Sequence, residues 1–139
     1  MKIFKYYENL NPTEKEIKAL LDSAKSRIES ARILMKKEKY RDAISRSYYA
    51  FLDSARAALL SKGKFTKTHA GTLTLFGLEF GKNKKIPSEL LKFYKKIKRD
   101  REEADYRFLR EFSKEEVKEA IKMAGKFVSF VEKNLIFKK

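Results

Sequence analysis

The sequence predicts an all-α fold, an up-and-down four-helix bundle with one additional short helix. Three observations carry that expectation. Apolar residues recur at three- and four-residue steps through four long segments and one short one. No segment alternates apolar and polar residues in the manner of a half-buried strand. Pro12, Gly63, Gly81 and Pro87 fall at segment boundaries, and only Gly71, Gly77 and Gly125 lie inside a helical pattern.

Residues 11–38 open the bundle. Asn11 suits an N-cap, Pro12 the first helical position, and Glu14 can close a capping box. Ile17, Leu20, Leu21, Ala24, Ile28, Ala31, Leu34 and Met35 then form the stripe. A second helix over 40–62 turns Ile44, Tyr48, Phe51, Ala55, Ala58 and Leu59 inward and stops at Gly63. After a connector at 64–68, a short helix runs from His69 to Phe80 and ends at Gly81.

The basic turn 81–87 leads to Pro87, fit to open the fourth helix. That helix is expected over 88–112, with Leu90, Tyr94, Ile97, Ala104, Phe108 and Phe112 on one face. The fifth begins at a second capping box, Ser113 to Glu116, and aligns Val117, Ile121, Ala124, Val128, Val131 and Leu135. With no internal repeat and no low-complexity linker, residues 1–139 are expected to form a single domain, its bundle over 12–136.

Composition narrows the function classes. Cysteine is absent, which excludes disulfides, thiolate metal sites and cysteine nucleophiles. One histidine cannot build a multi-histidine metal centre, so neither a metal nor another cofactor is expected. No apolar run approaches the ~20 residues that span a bilayer, and the first residues lack a signal peptide's apolar centre. A cytoplasmic protein with no membrane partner is the expectation. The net charge of +15, dominated by lysine, fits a polyanion such as RNA, bound with strong salt dependence. The abundance of Lys and Glu and the lack of glutamine also fit a thermophile's habit, although that habit enriches both signs.

Arg101 and Asp105 break the binary pattern. They fall four residues apart on the apolar face of the fourth helix, where they can pair. Removing ions from water costs several kcal/mol each unless they are well paired, so their inward placement points to a role beyond solubility. Both side chains are therefore expected to be substantially buried. His69 admits two readings: start of the third helix, where polar side chains satisfy free N–H groups, or proton transfer and phosphate contact. Tyr48 lies on the core stripe and its hydroxyl is expected to reach a partner. Tyr49 aligns with Asp42, Arg46, Asp53 and Arg56, either a solvated salt-bridged face or a groove. The lysines at 62–67, 82–85 and 92–98 read as surface that can pool charge at one end of the bundle.

Four short stretches, in order, resemble the HEPN superfamily of small helical bundles. They are residues 40–51 (YRDAISRSYYAF) with 55–60 (ARAALL), 67–71 (KTHAG), 75–77 (LFG) and 101–106 (REEADY). The resemblance implies a bundle that commonly dimerises and often pairs with a small nucleotidyltransferase as a toxin–antitoxin couple. Many members are metal-independent ribonucleases whose signature is an Arg followed four to six residues later by a His on the same helix. Arg101 matches the Arg, but 106–108 reads Tyr-Arg-Phe and the His is missing. A tyrosine is a poor substitute as base, since a phenol ionises only near pH 10. Five residues on, Tyr106 is also turned roughly 140° from Arg101 around a helix.

The expected function is a homodimeric HEPN-like binding module that engages a nucleotidyltransferase, a nucleotide or RNA. Arg101, Asp105, Tyr106, Arg46, Tyr49, His69 and Lys67 are its candidate contacts. A ribonuclease in which His69 comes from a neighbouring helix to serve Arg101 is the alternative, and a structural adaptor the third. Efficient RNA cleavage is not expected unless the third helix brings His69 close to Arg101. Homodimerisation is also read from aromatics outside the main stripes, namely Tyr49, Phe93, Phe127 and Phe130.

Overall fold

A computed structural model describes residues 11–137. The order is α1 (Pro12–Lys36), α2 (Tyr40–Leu60), α3 (His69–Phe76), α4 (Ser88–Tyr106) and α5 (Lys114–Phe130). Two of the helices run on as π-helical turns, α3 through Gly77–Gly81 and α5 through Val131–Ile136. No strand occurs among the described residues, and none of the helices is long and apolar enough to cross a membrane. The expected all-α bundle of four long helices and one short one is the observed fold.

The capping chemistry sits where the sequence places it. Asn11 Oδ1 accepts from the Glu14 amide at 2.8 Å, and the Glu14 carboxylate accepts from the Asn11 amide at 3.2 Å. Ser113 and Glu116 repeat the exchange at 3.1 and 3.2 Å and start α5. Past the end of α2, Gly63 takes φ +74°, a left-handed conformation that lets the Lys64 amide bond back to Leu59.

Helix α2 is the centre of the molecule. The anticipated stripe is buried, and so are Ala43, Ala50, Leu52, Ala57 and Leu60 around it. These alanines let α1 and α5 approach closely, which a one-sided amphipathic helix would not need. Phe51 projects from α2 into an aromatic cluster, 4.6 Å from the Phe127 ring and 5.5 Å from Tyr94. Phe93 and Phe127 are themselves core residues. They offer nothing to a second copy, so that part of the expectation of dimerisation is corrected.

The fourth helix is shorter than expected. It ends at Tyr106 rather than at 112, and Phe108, assigned to its apolar stripe, is 83% exposed. Phe112 is buried, but from the connector. The reason is a tertiary cap. The Arg41 guanidinium donates to the carbonyls of Ala104 (2.5 Å), Arg107 (3.2 Å) and Phe108 (3.3 Å), and to that of Arg110. Carbonyls left free at a helix end need such partners, and here one fork of donors from α2 supplies them. Arg110 completes the corner, pairing with Glu116 at 2.7 Å and lying over the Phe112 ring. Its guanidinium holds the Glu116 carboxyl below the ordinary carboxylate range.

Replacing Arg41 by alanine is expected to lower the unfolding free energy by about 2–3 kcal/mol, because it strands several carbonyls served by a charged donor. Lysine should restore little of it, having no fork. Arg46→Ala, at an exposed position on the same helix, should stay within about 0.5 kcal/mol. Chemical denaturation at unchanged slope measures all three.

Candidate functional site

Adjacent residues on a helix point about 100° apart, so Tyr48 and Tyr49 cannot both face the core. Tyr48 is fully buried, and Tyr49 lies half-buried at the rim of α2. The two rings meet edge-on at 5.3 Å. Contrary to expectation, the Tyr48 hydroxyl reaches no hydrogen-bond partner among the described residues. Burial pushes its pKa up to about 12, against the pull of Arg101. It stays protonated at any physiological pH.

Arg101 reaches this pair from α4. Its guanidinium carbon lies 5.6 Å from the Tyr48 ring centre and 5.5 Å from that of Tyr49, and Nη2 donates to the Tyr49 hydroxyl at 3.0 Å. Nε stands 3.1 Å from Asp105 Oδ2, close enough for an ion pair but out of line for a hydrogen bond. The pair therefore forms, but at an edge and not in the core, with the Arg101 side chain 21% and Asp105 33% exposed. The misjudged helix end explains the difference. Counting Phe108 and Phe112 swings the apparent apolar face over Arg101 and Asp105. The real buried set, Leu90, Phe93, Tyr94, Ile97, Asp100 and Ala104, leaves them on its flank.

His69 approaches from the third side. As first residue of α3, it sits behind a cap in which Thr68 Oγ1 accepts from the Gly71 amide at 2.9 Å. A Cβ at Gly71 would come within 2.7 Å of that oxygen, so the cap needs glycine there. The imidazole lies 5.6 Å from the Tyr48 ring and 5.9 Å, edge-on, from Tyr49. Burial first, then the charges of Arg101, Arg56 and Lys98, hold its pKa below the ordinary 6.5. His69 is thus neutral at pH 7 and free to accept a proton.

A fourth element completes the rim. Arg27 of α1 covers the Tyr49 ring at 5.3 Å, with Nε 3.4 Å from Asp53, and Ser23 donates to the same Asp53 oxygen at 2.7 Å. Asp53 is buried, Arg56 and Tyr49 are half-buried, and Asp42 and Arg46 are exposed. The line along α2 is thus part solvated face and part rim. Arg101, Asp105, Tyr49 and His69 come together around Tyr48. Tyr106 does not join them: it is the last residue of α4 and 76% exposed. Arg46 and Lys67 are exposed, Lys67 just outside the cap that holds His69.

Arg27 was not foreseen. Ser23 and Arg27 share a face by spacing, but their partner Asp53 lies 26 residues beyond Arg27, and no local pattern reveals it. Among the described residues no cluster of three or more His, Asp or Glu side chains could hold a metal ion. What the arrangement offers is a cationic rim, a neutral imidazole and a phenol hydroxyl, the complement of a phosphate.

The HEPN domain profile matches residues 17–134. A UPF0332 protein of Thermotoga maritima is 37% identical over 124 residues, covering 89% of this chain and 94% of that protein. Two proteins of Methanocaldococcus jannaschii, both named "Putative toxin", are also similar. One is 31% identical over 125 residues (90% of this chain, 85% of its own), the other 46% over 65 residues (47% and 48%).

The His69 ring protons, followed by NMR, are expected to titrate below pH 6.5 and to move upward in Arg101→Ala, which removes a repelling charge. An unchanged midpoint in the variant would separate the two side chains electrostatically.

Proposed function

Because the chain belongs to the HEPN family, we propose that it is a toxin-type module that contacts RNA through Arg101 and His69. A small nucleotidyltransferase restrains it, and the working form is a homodimer, as the family resemblance implies. The single observation that supports the RNA contact is the meeting of Arg101 and His69 on the Tyr48–Tyr49 pair. Arg56 and Lys98 add positive charge there and, after burial and Arg101, help to depress the imidazole. A phosphate entering this rim gains a guanidinium already oriented by Tyr49 and Asp105. The names of the two Methanocaldococcus relatives support the toxin half of the reading. The exposed lysines 62, 64, 67, 82, 84 and 85 supply longer-range attraction for the strand.

A second reading, metal-independent cleavage, is favoured by one specific observation: an imidazole packs on the same Tyr48–Tyr49 pair as Arg101, although the fourth helix carries none. In this reading His69 takes the proton of a 2′-hydroxyl, whose oxygen attacks the neighbouring phosphorus. The bond to the 5′-oxygen breaks, and that oxygen takes a proton from the imidazolium or from solvent. Arg101 balances the charge gathering on the phosphoryl oxygens. Tyr48, held protonated, plays no part as a base.

Purified, partner-free protein with RNA in excess chelator tests both readings. Binding should weaken in Arg101→Ala and in His69→Ala. If cleavage occurs, it should leave 2′,3′-cyclic phosphate ends and fall roughly 10²–10⁴-fold in each variant. Its rate should climb with pH through a midpoint below 6.5 and then level, as the imidazole loses its proton. Cleavage that survives both substitutions ends the ribonuclease reading. Binding that survives both ends the RNA contact at this rim.

A further inference from the structure

A groove between α3 and α4 lies next to this rim and is not used by the proposed chemistry. Its floor is aliphatic, with Leu73 and Leu78 from the α3 side and Leu91 from α4. Leu78 is 58% exposed and shares the floor with Leu73 and Leu91, so the apolar surface here is contiguous rather than a single exposed side chain. Two glycines open the floor. A Cβ at Gly77 would meet nothing within 4 Å, whereas one at Gly81 would come within 2.5 Å of Leu91 Cδ2. The groove encloses about 650 Å³.

The walls are cationic. Lys82, Lys95 and Arg99 line them and make no ion pair among the described residues, while Lys98 is engaged with Glu102 at 3.2 Å. Lys95, Arg99 and Glu102 recur at three- and four-residue steps, so they form one ridge of α4 beside the apolar floor.

We propose that this groove receives an acidic amphipathic helix of a protein partner. Its aliphatic side would fill the floor over Gly77, and its carboxylates would meet Lys82, Lys95 and Arg99. In this groove the unpaired Lys82, Lys95 and Arg99 favour an acidic occupant over the lysine-rich surface of a second copy, which puts any homodimer contact on another face. The floor decides against RNA, since strands that bind without base pairing stack their bases on aromatic rings and this floor has none. Arg101 and Lys98 are on neighbouring faces of α4, so a helix seated here would border the Arg101–His69 rim and obstruct a phosphate strand approaching it. The inference gives a location and a chemistry to the restraining partner of the reading above and rests on that reading only for its regulatory consequence.

The full chain carrying a benzophenone amino acid at Thr74, an exposed position in the groove wall, is produced in its native host, irradiated, and its adducts sequenced by mass spectrometry. The expected adduct is a protein segment with aliphatic residues at helical spacing and acidic residues flanking them. Gly77→Trp should fill the groove without straining the backbone, where φ is −61°. It should lower the adduct yield at least tenfold, and the charge-reversing pair Lys95→Glu and Arg99→Glu should do the same. RNA binding by purified Gly77→Trp should match that of the unsubstituted protein, which separates failure of the groove from failure of the rim. Adducts to RNA, to this chain itself or to a basic segment, no adduct, or a yield indifferent to Gly77→Trp would each overturn the proposal.

Discussion

The burial of α2 on nearly every side is the constraint from which the rest of the structure follows. A helix surrounded by α1, α3, α4 and α5 must be narrow where they press closest, and alanines at 43, 50, 55, 57 and 58 meet that need. It must also be wide where gaps remain, and Tyr48 and Phe51 fill them. Because Tyr48 is committed to the core, the next residue is turned to the rim. Tyr49 thereby becomes the surface on which side chains from three other helices converge: Arg27, Arg101 and His69. The site is thus a by-product of core geometry, held by the most extensively buried helix of the fold.

The electrostatics of the rim are unbalanced in one direction. Arg101 has Asp105, and Arg27 has Asp53, but Arg56 has no partner for its buried Nε among the described residues. Cation–π contacts with the two tyrosines offset part of the cost of crowding guanidiniums, at about 0.5–2 kcal/mol each. The remainder is expressed on His69, whose protonated form is disfavoured by burial and by the neighbouring cations. A bound phosphate would relieve that imbalance. Relief of the same repulsion would raise the affinity of His69 for a proton, coupling phosphate contact to proton transfer.

Local chemistry was largely legible in the sequence. Both capping boxes, the stop at Gly63 and the inward faces of α2 and α5 follow from residue type and spacing, and the structure holds them as expected. The end of α4 was not legible, because it depends on Arg41, whose acceptors lie more than sixty residues away. Counting Phe108 and Phe112 into the helix displaces its apparent apolar face, so Arg101 and Asp105 look more buried by spacing than they are. The pairing of the two was right because i, i+4 contact is local. The meeting of His69 and Arg101 on the tyrosine pair depends on how α3 docks, and no spacing along the chain encodes that. Arg27 escaped for the same reason.

We propose that the cationic rim around Tyr49, rather than the lysine-rich surface at large, holds the phosphate strand. The most direct measurement is an NMR titration of the protein with a 2′-O-methyl RNA, which cannot supply the attacking hydroxyl. Saturable shifts are expected at His69, at the Arg101 Nε–H and around Tyr49, persisting at salt concentrations that abolish shifts at Lys62, Lys84 and Lys85. Shifts confined to those exposed lysines and fading together with salt, with His69 and Arg101 unmoved, would contradict it.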